Sequence, residues 1–367
     1  MKIAYFLGAL NRGGAETLIL DICRQHEKVP YDFVCVYRHD GNMSEAFKAS
    51  GASVVQIPKK RGYLRYLWNI RHTLLREHVT IVHSQTTSNT LLMAFTLFGT
   101  GIPVITTFHG HMFADAPWWK RKIVYAASRK IICVSKYQKR YYEQKWSLSK
   151  ENKLQVVYNG IDFSKFDAEK SIVESGKWKV ESGRIRLCMV GNFIKGRSQM
   201  VIVKALHKLN IKSEKLKENF DFYFVGRRDD KEPWRYDECV NFCEENNLTN
   251  VHFLGDREDV PALLKTMDGF VYSTEHDTFG IAVIEAIAAG VPVIVNDWDV
   301  MMEVTNNGKW ATIYPTENAE RLADEIESLI NHPAEYKKMA EDHAKQVRAD
   351  YSIESHIKNV NSIYKLL

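Results

Sequence analysis

The chain has 367 residues, 45% of them apolar and 26% charged, the composition of a folded protein of about two domains rather than a disordered one. It holds no apolar run of the roughly 18 residues a bilayer-spanning helix needs, and its six cysteines form no C-x-x-C pair or metal-finger spacing, as expected of core thiols in a reducing cytosol. The formal net charge of +5 hides an asymmetry: residues 1–165 carry 24 Lys and Arg against 11 Asp and Glu, which implies an anionic partner such as a membrane surface or a lipid phosphate, while no motif points to nucleic acid.

The chain opens on an apolar run, Lys2–Leu7, without the basic start and long apolar stretch of a leader, so it reads as a first buried strand. A helical period follows over Ala15–Gln25. Strands are then expected at Phe33–Tyr37, Ser53–Ile57, Ile81–His83, Val104–Thr107, Lys130–Val134 and Gln155–Val157, with helices at Tyr63–Glu77, Asn89–Phe98 and Lys136–Trp146 between them. Apolar strands alternating with helices predict a parallel sheet covered on both faces. A polar stretch from Lys165 to Gly183 reads as a linker. The alternation then restarts, with strands at Arg186–Val190, Phe222–Val225, Val251–Leu254, Gly269–Tyr272 and Pro292–Val295, and a largely helical tail from Glu317. The fold class expected is α/β: two doubly wound, Rossmann-like halves, with ligands outside the carboxyl ends of the strands and a site in a cleft between the halves.

Four segments carry candidate chemistry. Gly8 to Glu16 turns from the first strand into a helix through Gly13 and Gly14, where backbone can approach a phosphate at a helix N-terminus; a plain tight turn explains it equally well. Gly191-Asn192-Phe-Ile-Lys195-Gly196-Arg197-Ser198 follows the first strand of the second half. It is one residue from a P-loop, with Arg197 in the lysine place, and Arg does not do that lysine's work; Lys195, Arg197 and nearby amides still make an anion site. Ser273 to Pro292 holds Glu275, Asp277, Phe279, Gly280, Ile281 and Glu285 at a strand-to-helix turn. The amides after Phe279 suit a polar ligand, and Glu285, among apolar neighbours, needs a partner such as a ribose diol. Thr106 to His111 places His109 and His111 at a strand end, with no evident third metal ligand, and Asp297-Trp298-Asp299 is a short D-x-D of the kind that arises by chance.

Taken together, these segments resemble the family-4 retaining glycosyltransferases, a large group with the two-domain GT-B fold. The most specific part is the acid-x7-acid stretch from Asp277 to Glu285, closed by Gly290-Val291-Pro292. The resemblance implies that Asp277 contacts hydroxyls of the donor sugar, with Glu275 as substitute because the family's first acid is usually Glu, and that Glu285 holds the ribose. A family Arg and Lys on the diphosphate fall on Asn192 and Arg197, so the first loses its charge, and either Lys195 compensates or the donor is held less tightly. Gly13 and Gly14 resemble the glycine loop beside the diphosphate, His109 a histidine beside sugar and acceptor, and Phe253-Leu254-Gly255 a loop that reads the base.

The expected organisation is an acceptor domain over 1–165, a donor domain over 166–345, and a final helix over 346–367 returning to the first domain. The implied activity is transfer of a sugar, with retention, from a nucleotide-sugar, UDP-linked or alternatively GDP-linked, to a glycan or lipid-linked glycan acceptor, as in bacterial surface or capsular polysaccharide assembly. No cofactor or metal is expected, because side chains and helix dipoles meet the charge on the leaving diphosphate. Lys59 to Trp68 and Trp118 to Lys122 mix bases with aromatics, which suits a cytoplasmic protein resting on an anionic membrane. Alternatives are a non-catalytic nucleotide-sugar-binding partner of another transferase, another GT-B enzyme such as a nucleotide-sugar epimerase or a phosphorylase, and an NTPase using the loop at Gly191.

Overall fold

A computed structural model describes residues 1–58, 62–146, 153–167 and 183–367. Two compact units divide them: Met1–Asp162 joined by Tyr351–Leu367, and Phe163–Asp350. In the first unit, β1 (Lys2–Phe6), β2 (Asp32–Tyr37), β3 (Val54–Gln56), β4 (Ile81–Ser84), β5 (Val104–Phe108), β6 (Ser128–Cys133) and β7 (Leu154–Val156) form one parallel sheet in the order β3-β2-β1-β4-β5-β6-β7. In the second, β8 (Ile185–Val190), β9 (Phe220–Val225), β10 (Val251–Phe253), β11 (Gly269–Tyr272), β12 (Val293–Asn296) and β13 (Thr312–Tyr314) form another, in the order β10-β9-β8-β11-β12-β13. Each is a mixed α/β, Rossmann-like unit with a parallel sheet whose strand order reverses beside its first strand.

The central strands are apolar on both faces because both faces are covered. Ile3, Ala4, Tyr5 and Phe6 of β1 are buried in succession, as are Gly269–Tyr272 of β11 and Val293–Asn296 of β12. Hydroxyl caps start several helices: Thr86 accepts from the Asn89 amide before Thr87–Thr96, Ser135 from Gln138 before Lys136–Lys145, and Ser352 from Ser355 before Ile353–Tyr364. The thirteenth strand has no counterpart among the sequence expectations. Thr312-Ile313-Tyr314 is three residues long, at the sheet edge and half-buried, so it has no apolar run to betray it.

The boundaries differ from those expected at 165 and 345. The helix Pro333–Asp350 runs on with the second unit because Arg348 donates to the Ala288 carbonyl at 2.8 Å and pairs with Asp167 at 2.8 Å. The chain joins the first unit at Tyr351, whose carbonyl accepts from the Ile161 amide at 2.9 Å, while the Ile353 amide donates back to Ile161 at 3.0 Å. Ile353, Ile357, Val360, Ile363 and Tyr364 then pack into the core with Ile3, Tyr5 and Leu20. At about 1.5–3 kcal/mol for each large side chain fully buried, this helix is part of the first unit's core and not a tail laid over it. Most of the expected linker, and Lys59, Lys60 and Arg61, lie outside the described residues.

A buried polar chain ties that helix to the sheet. The Tyr364 hydroxyl donates to Tyr5 at 3.3 Å and lies 2.6 Å from His83 Nδ1, which therefore carries the ring proton; His83 Nε2 then accepts from Thr107 at 2.7 Å. Burial holds His83 well below the usual histidine range, with His356 and His109 nearby adding to it. His356, whose Nδ1–H donates to the Tyr158 carbonyl at 2.8 Å, is pushed down to about 4, again by burial. Both are neutral in the fold, whereas an unfolded chain protonates them near 6.5. Below that pH the unfolded state binds more protons, so stability falls as pH drops from about 6.5 toward 4, by up to about 1.4 kcal/mol per pH unit for each ring. Urea unfolding of the first unit at pH 7, 6 and 5 is expected to show this loss, and a midpoint constant across that range would contradict neutral burial.

Candidate active site

In the second unit the sheet order reverses between β8 and β11, and the loops after these strands are bolted together. The Ser198 amide donates to the Ser273 carbonyl at 3.1 Å, and the Gly196 carbonyl accepts from the Glu275 amide at 3.0 Å and the Thr274 hydroxyl at 2.7 Å. This brings Arg197, from the first loop, to Asp277, from the second: Nη1 donates to Oδ2 at 2.6 Å, with the guanidinium 5.1 Å from the Tyr272 ring centroid. The Tyr272 hydroxyl donates to the same oxygen at 2.8 Å, while Oδ1 accepts the amides of Thr278 at 2.8 Å and Phe279 at 3.4 Å. Asp277 is 9% exposed, and both its oxygens are engaged.

The electrostatics follow from that geometry. Burial pushes the Asp277 carboxyl up, but Arg197 beside it and the Tyr272 hydroxyl outweigh this and hold it below the usual carboxylate range. Burial also opposes the Arg197 charge, and Tyr272 and Asp277 more than restore it. The pair is therefore ionised.

Beyond Asp277 the turn enters the helix Ile281–Ala288 through Gly280, whose φ of +82° favours glycine and whose added Cβ would stand 2.6 Å from the end of the Met301 side chain. The Phe279 side chain is core, so this segment offers a ligand backbone amides at a helix N-terminus. Ile281 is half-buried in the first turn, and Glu285, one turn on, is half-buried too. Glu275 is exposed and accepts the Ser198 hydroxyl at 2.8 Å. Asn192 turns toward β9: its Oδ1 accepts the Arg227 amide at 3.1 Å. Lys195 is exposed, its amide donating to Glu232 at 2.7 Å. The structure thus gathers Asn192, Lys195, Arg197, Glu275, Asp277, Phe279, Gly280, Ile281 and Glu285 at the carboxyl ends of β8, β11 and the helix that follows. Asp297 of the D-x-D accepts the Thr316 amide at 2.8 Å and hydroxyl at 2.6 Å, a bond that fastens β12 to the loop after β13.

In the first unit the order reverses between β1 and β4. Gly13, in extended backbone, caps the helix Gly14–Arg24 after β1. Glu16 reaches back over this turn, close enough that a Cβ on Gly13 would lie 2.7 Å from its Oε2, and burial raises its carboxyl. His109 follows β5, and its Nε2 lies 3.0 Å from Oε1 of Gln85, a buried residue after β4. Burial, helped by His356, pushes His109 down to about 4. His111 leaves this site for an aromatic nest, its ring 4.4 Å from Tyr141 and 5.4 Å from Tyr137.

Sequence reasoning missed Tyr272, Ser198, Thr274 and Gln85. Tyr272 ends an apolar strand and Gln85 follows one, so they look like core and loop residues; nothing in their spacing marks them. Ser198 and Thr274 lay inside recognised motifs, but only the pairing of the two loops shows what they bond.

The family model described as Glycosyltransferase Family 4 matches residues 12–165, and that described as Glycosyl transferases group 1 matches 172–346. The putative glycosyltransferase EpsF of Bacillus subtilis is 23% identical over 317 residues, covering 81% of this chain and 79% of the relative. The N,N'-diacetylbacillosaminyl-diphospho-undecaprenol alpha-1,3-N-acetylgalactosaminyltransferase of Campylobacter jejuni is 31% identical over 190 residues, 49% of this chain and 46% of that enzyme. Among solved structures, Anabaena HepE in complex with UDP and glucose superposes with a TM-score of 0.86 at 16% identity, over 100% of both chains. With both models matched in order along a pair of parallel-sheet units, the chain belongs to the family-4 GT-B glycosyltransferases.

Proposed function

We propose that this glycosyltransferase moves a sugar, with retention of configuration and without a metal, from a nucleoside-diphosphate sugar to a glycan or lipid-linked glycan acceptor in surface or capsular polysaccharide assembly. UDP is the favoured nucleotide and GDP the alternative. The observation that carries the reading is the ionised Arg197–Asp277 pair beside the Gly280 turn, because it fixes a cation and a helix N-terminus where a diphosphate's charge grows as the bond to the sugar breaks. The name of the undecaprenol-linked enzyme supports the acceptor class, and the UDP bound to HepE supports the nucleotide.

In this reading Arg197, Lys195 and the amides after Phe279 meet the diphosphate. Asp277 holds Arg197 and the turn in place, the exposed Glu275 offers its carboxylate to sugar hydroxyls, and Glu285 holds the ribose. His109, with a pKa of about 4, is neutral at pH 7 and acts as a hydrogen-bonding group beside sugar and acceptor. The acceptor hydroxyl attacks on the face the diphosphate leaves, and the departing phosphate oxygen takes its proton.

Contact with an anionic membrane completes the proposal. Leu64 and Trp68 on the helix Tyr63–Arg76, and Trp118 and Trp119 on the helix Trp118–Ala127, are exposed, at 81%, 60%, 64% and 48%. Lys120 and Lys122 lie 5.3 and 5.0 Å from the rings of Trp119 and Trp118, a mixture of charge and aromatic surface suited to a headgroup layer.

Three outcomes are expected. UDP- or GDP-sugars raise the melting midpoint with EDTA present, and Glu285→Ala weakens that binding by roughly 10–100-fold; stabilisation by ATP and magnesium alone would point to the NTPase alternative instead. Arg197→Ala lowers kcat/KM by about 10²–10³-fold, and Asp277→Asn, which strips a buried guanidinium of its counter-charge, lowers both activity and stability, the latter by about 2–3 kcal/mol; unchanged melting of the Asn variant would mean the ion pair is incidental. Vesicles rich in phosphatidylglycerol sediment the wild type, while Trp118→Ala/Trp119→Ala stays in the supernatant, and equal partition of the two proteins would remove these tryptophans from the membrane contact.

A further inference from the structure

The cation count at the donor site leaves a deficit. A nucleoside diphosphate brings about two negative charges, and the Arg197 charge is already matched by Asp277 at 2.6 Å. A helix N-terminus supplies only about half a charge. Asn192, on the loop after β8, brings none. A cation stands one bond away: Asn192 Oδ1 accepts the Arg227 amide at 3.1 Å.

The two loops that carry these residues touch backbone to backbone. Gly226 lies so close to Gly191 that a Cβ on it would stand 2.2 Å from the Gly191 carbonyl oxygen. The Gly226 amide also donates to the Gly255 carbonyl at 2.8 Å, and Phe193 and Arg228 form an isolated parallel bridge. The carboxyl ends of β8, β9 and β10 are therefore fused into one ledge, and Arg227 is the first residue beyond it. Its neighbours are spoken for. Arg228 grips Asp237 with two bonds of 2.7 Å, and Arg235 pairs with Glu232 at 2.9 Å. The Arg227 side chain is exposed and, among the described residues, has no hydrogen bond or ion pair; the same holds for the Lys195 side chain.

We infer that Arg227 is a donor-binding residue: with Lys195 it clamps the diphosphate of the nucleotide-sugar, and Asn192 is the bracket that holds its backbone in place. Arg197 meets the diphosphate with a charge it shares with Asp277, and the uncommitted charge comes from Lys195 and Arg227. A guanidinium is suited to this because its fork gives a phosphate two parallel bonds.

The inference rests on the nucleotide-sugar reading above, and calorimetric titration separates the two. UDP, GDP, uridine and guanosine are titrated into wild type, Arg227→Ala and Arg227→Lys, with melting curves to confirm that each variant folds. Arg227→Ala is expected to weaken the diphosphate that the wild type selects by about tenfold, and to leave its nucleoside unchanged. Arg227→Lys recovers part of the loss, and salt narrows the gap between variants. Equal diphosphate affinity in Arg227→Ala, or an equal loss for diphosphate and nucleoside, overturns the clamp while the donor reading stands. A wild type that binds neither UDP nor GDP overturns both.

Discussion

A guanidinium and a carboxylate withdrawn together from water must satisfy each other closely, and the second unit is arranged around that demand at Arg197 and Asp277. Coulomb attraction alone does not repay the loss of solvent at such a site; further hydrogen bonds on the same groups are needed. Asp277 has them: Arg197 and the Tyr272 hydroxyl on one oxygen, the Thr278 and Phe279 amides on the other. Each bond restrains a different element. Arg197 belongs to the loop after β8, Tyr272 ends β11, and the two amides belong to the turn before the helix Ile281–Ala288. A single carboxylate thus sets the position of a strand end, a loop and a helix start, and Gly280 follows because the chain must then turn through a left-handed residue against Met301.

The two units repeat one solution with different residues. In each, a parallel sheet reverses order beside its first strand, β1 with β4 and β8 with β11, and the loops diverge there to leave room for a ligand. In each, the first strand runs into a glycine-bearing turn, Gly13-Gly14 or Gly191 to Gly196. The chemistry differs. The first unit buries neutral rings, His83, His109 and His356. The second gathers cations.

Much of this was legible as pattern. Buried parallel strands are apolar runs, and β1, β2, β8, β9, β11 and β12 were all visible as such. Asp277 to Glu285 carries chemistry at fixed spacing, and it stood out for the same reason. What stayed hidden depends on contacts distant in sequence. β13 is short and half-buried at an edge. β6 begins at Ser128, earlier than its apolar run, because Ser128 is buried by hydrogen bonds to Thr106 and Val124, not by hydrophobicity. Tyr272 reads as one more aromatic in a strand until its hydroxyl is seen on Asp277. The exit of the chain at Asp350 is set by Arg348, whose bonds to Ala288 and Asp167 reach back 60 and 181 residues. Asn192 was visible as a missing charge, but its replacement lies 35 residues on, on a neighbouring strand's loop, and only the Asn192–Arg227 bond links the two.

The state of His109 bears on mechanism more directly than its position does. A ring whose pKa lies near 4 binds a proton too weakly at pH 7 to draw one from a hydroxyl in the ground state. Its partner points the same way: if Nε2 donates to Gln85 Oε1, that oxygen fixes the ring's orientation and adds no negative charge to raise its basicity, as a carboxylate would. Glu16 is no better placed, since it folds back over its own helix start. In the proposed reaction the oxygen of the departing diphosphate is the basic group that bond breaking itself creates. The cations of the second unit then have two opposed tasks. They must stabilise that oxygen enough for it to leave, yet leave it basic enough to take the acceptor's proton. An arginine already matched by Asp277 is a milder electrostatic partner than a bare one, and this moderates the site in the direction the proton transfer requires.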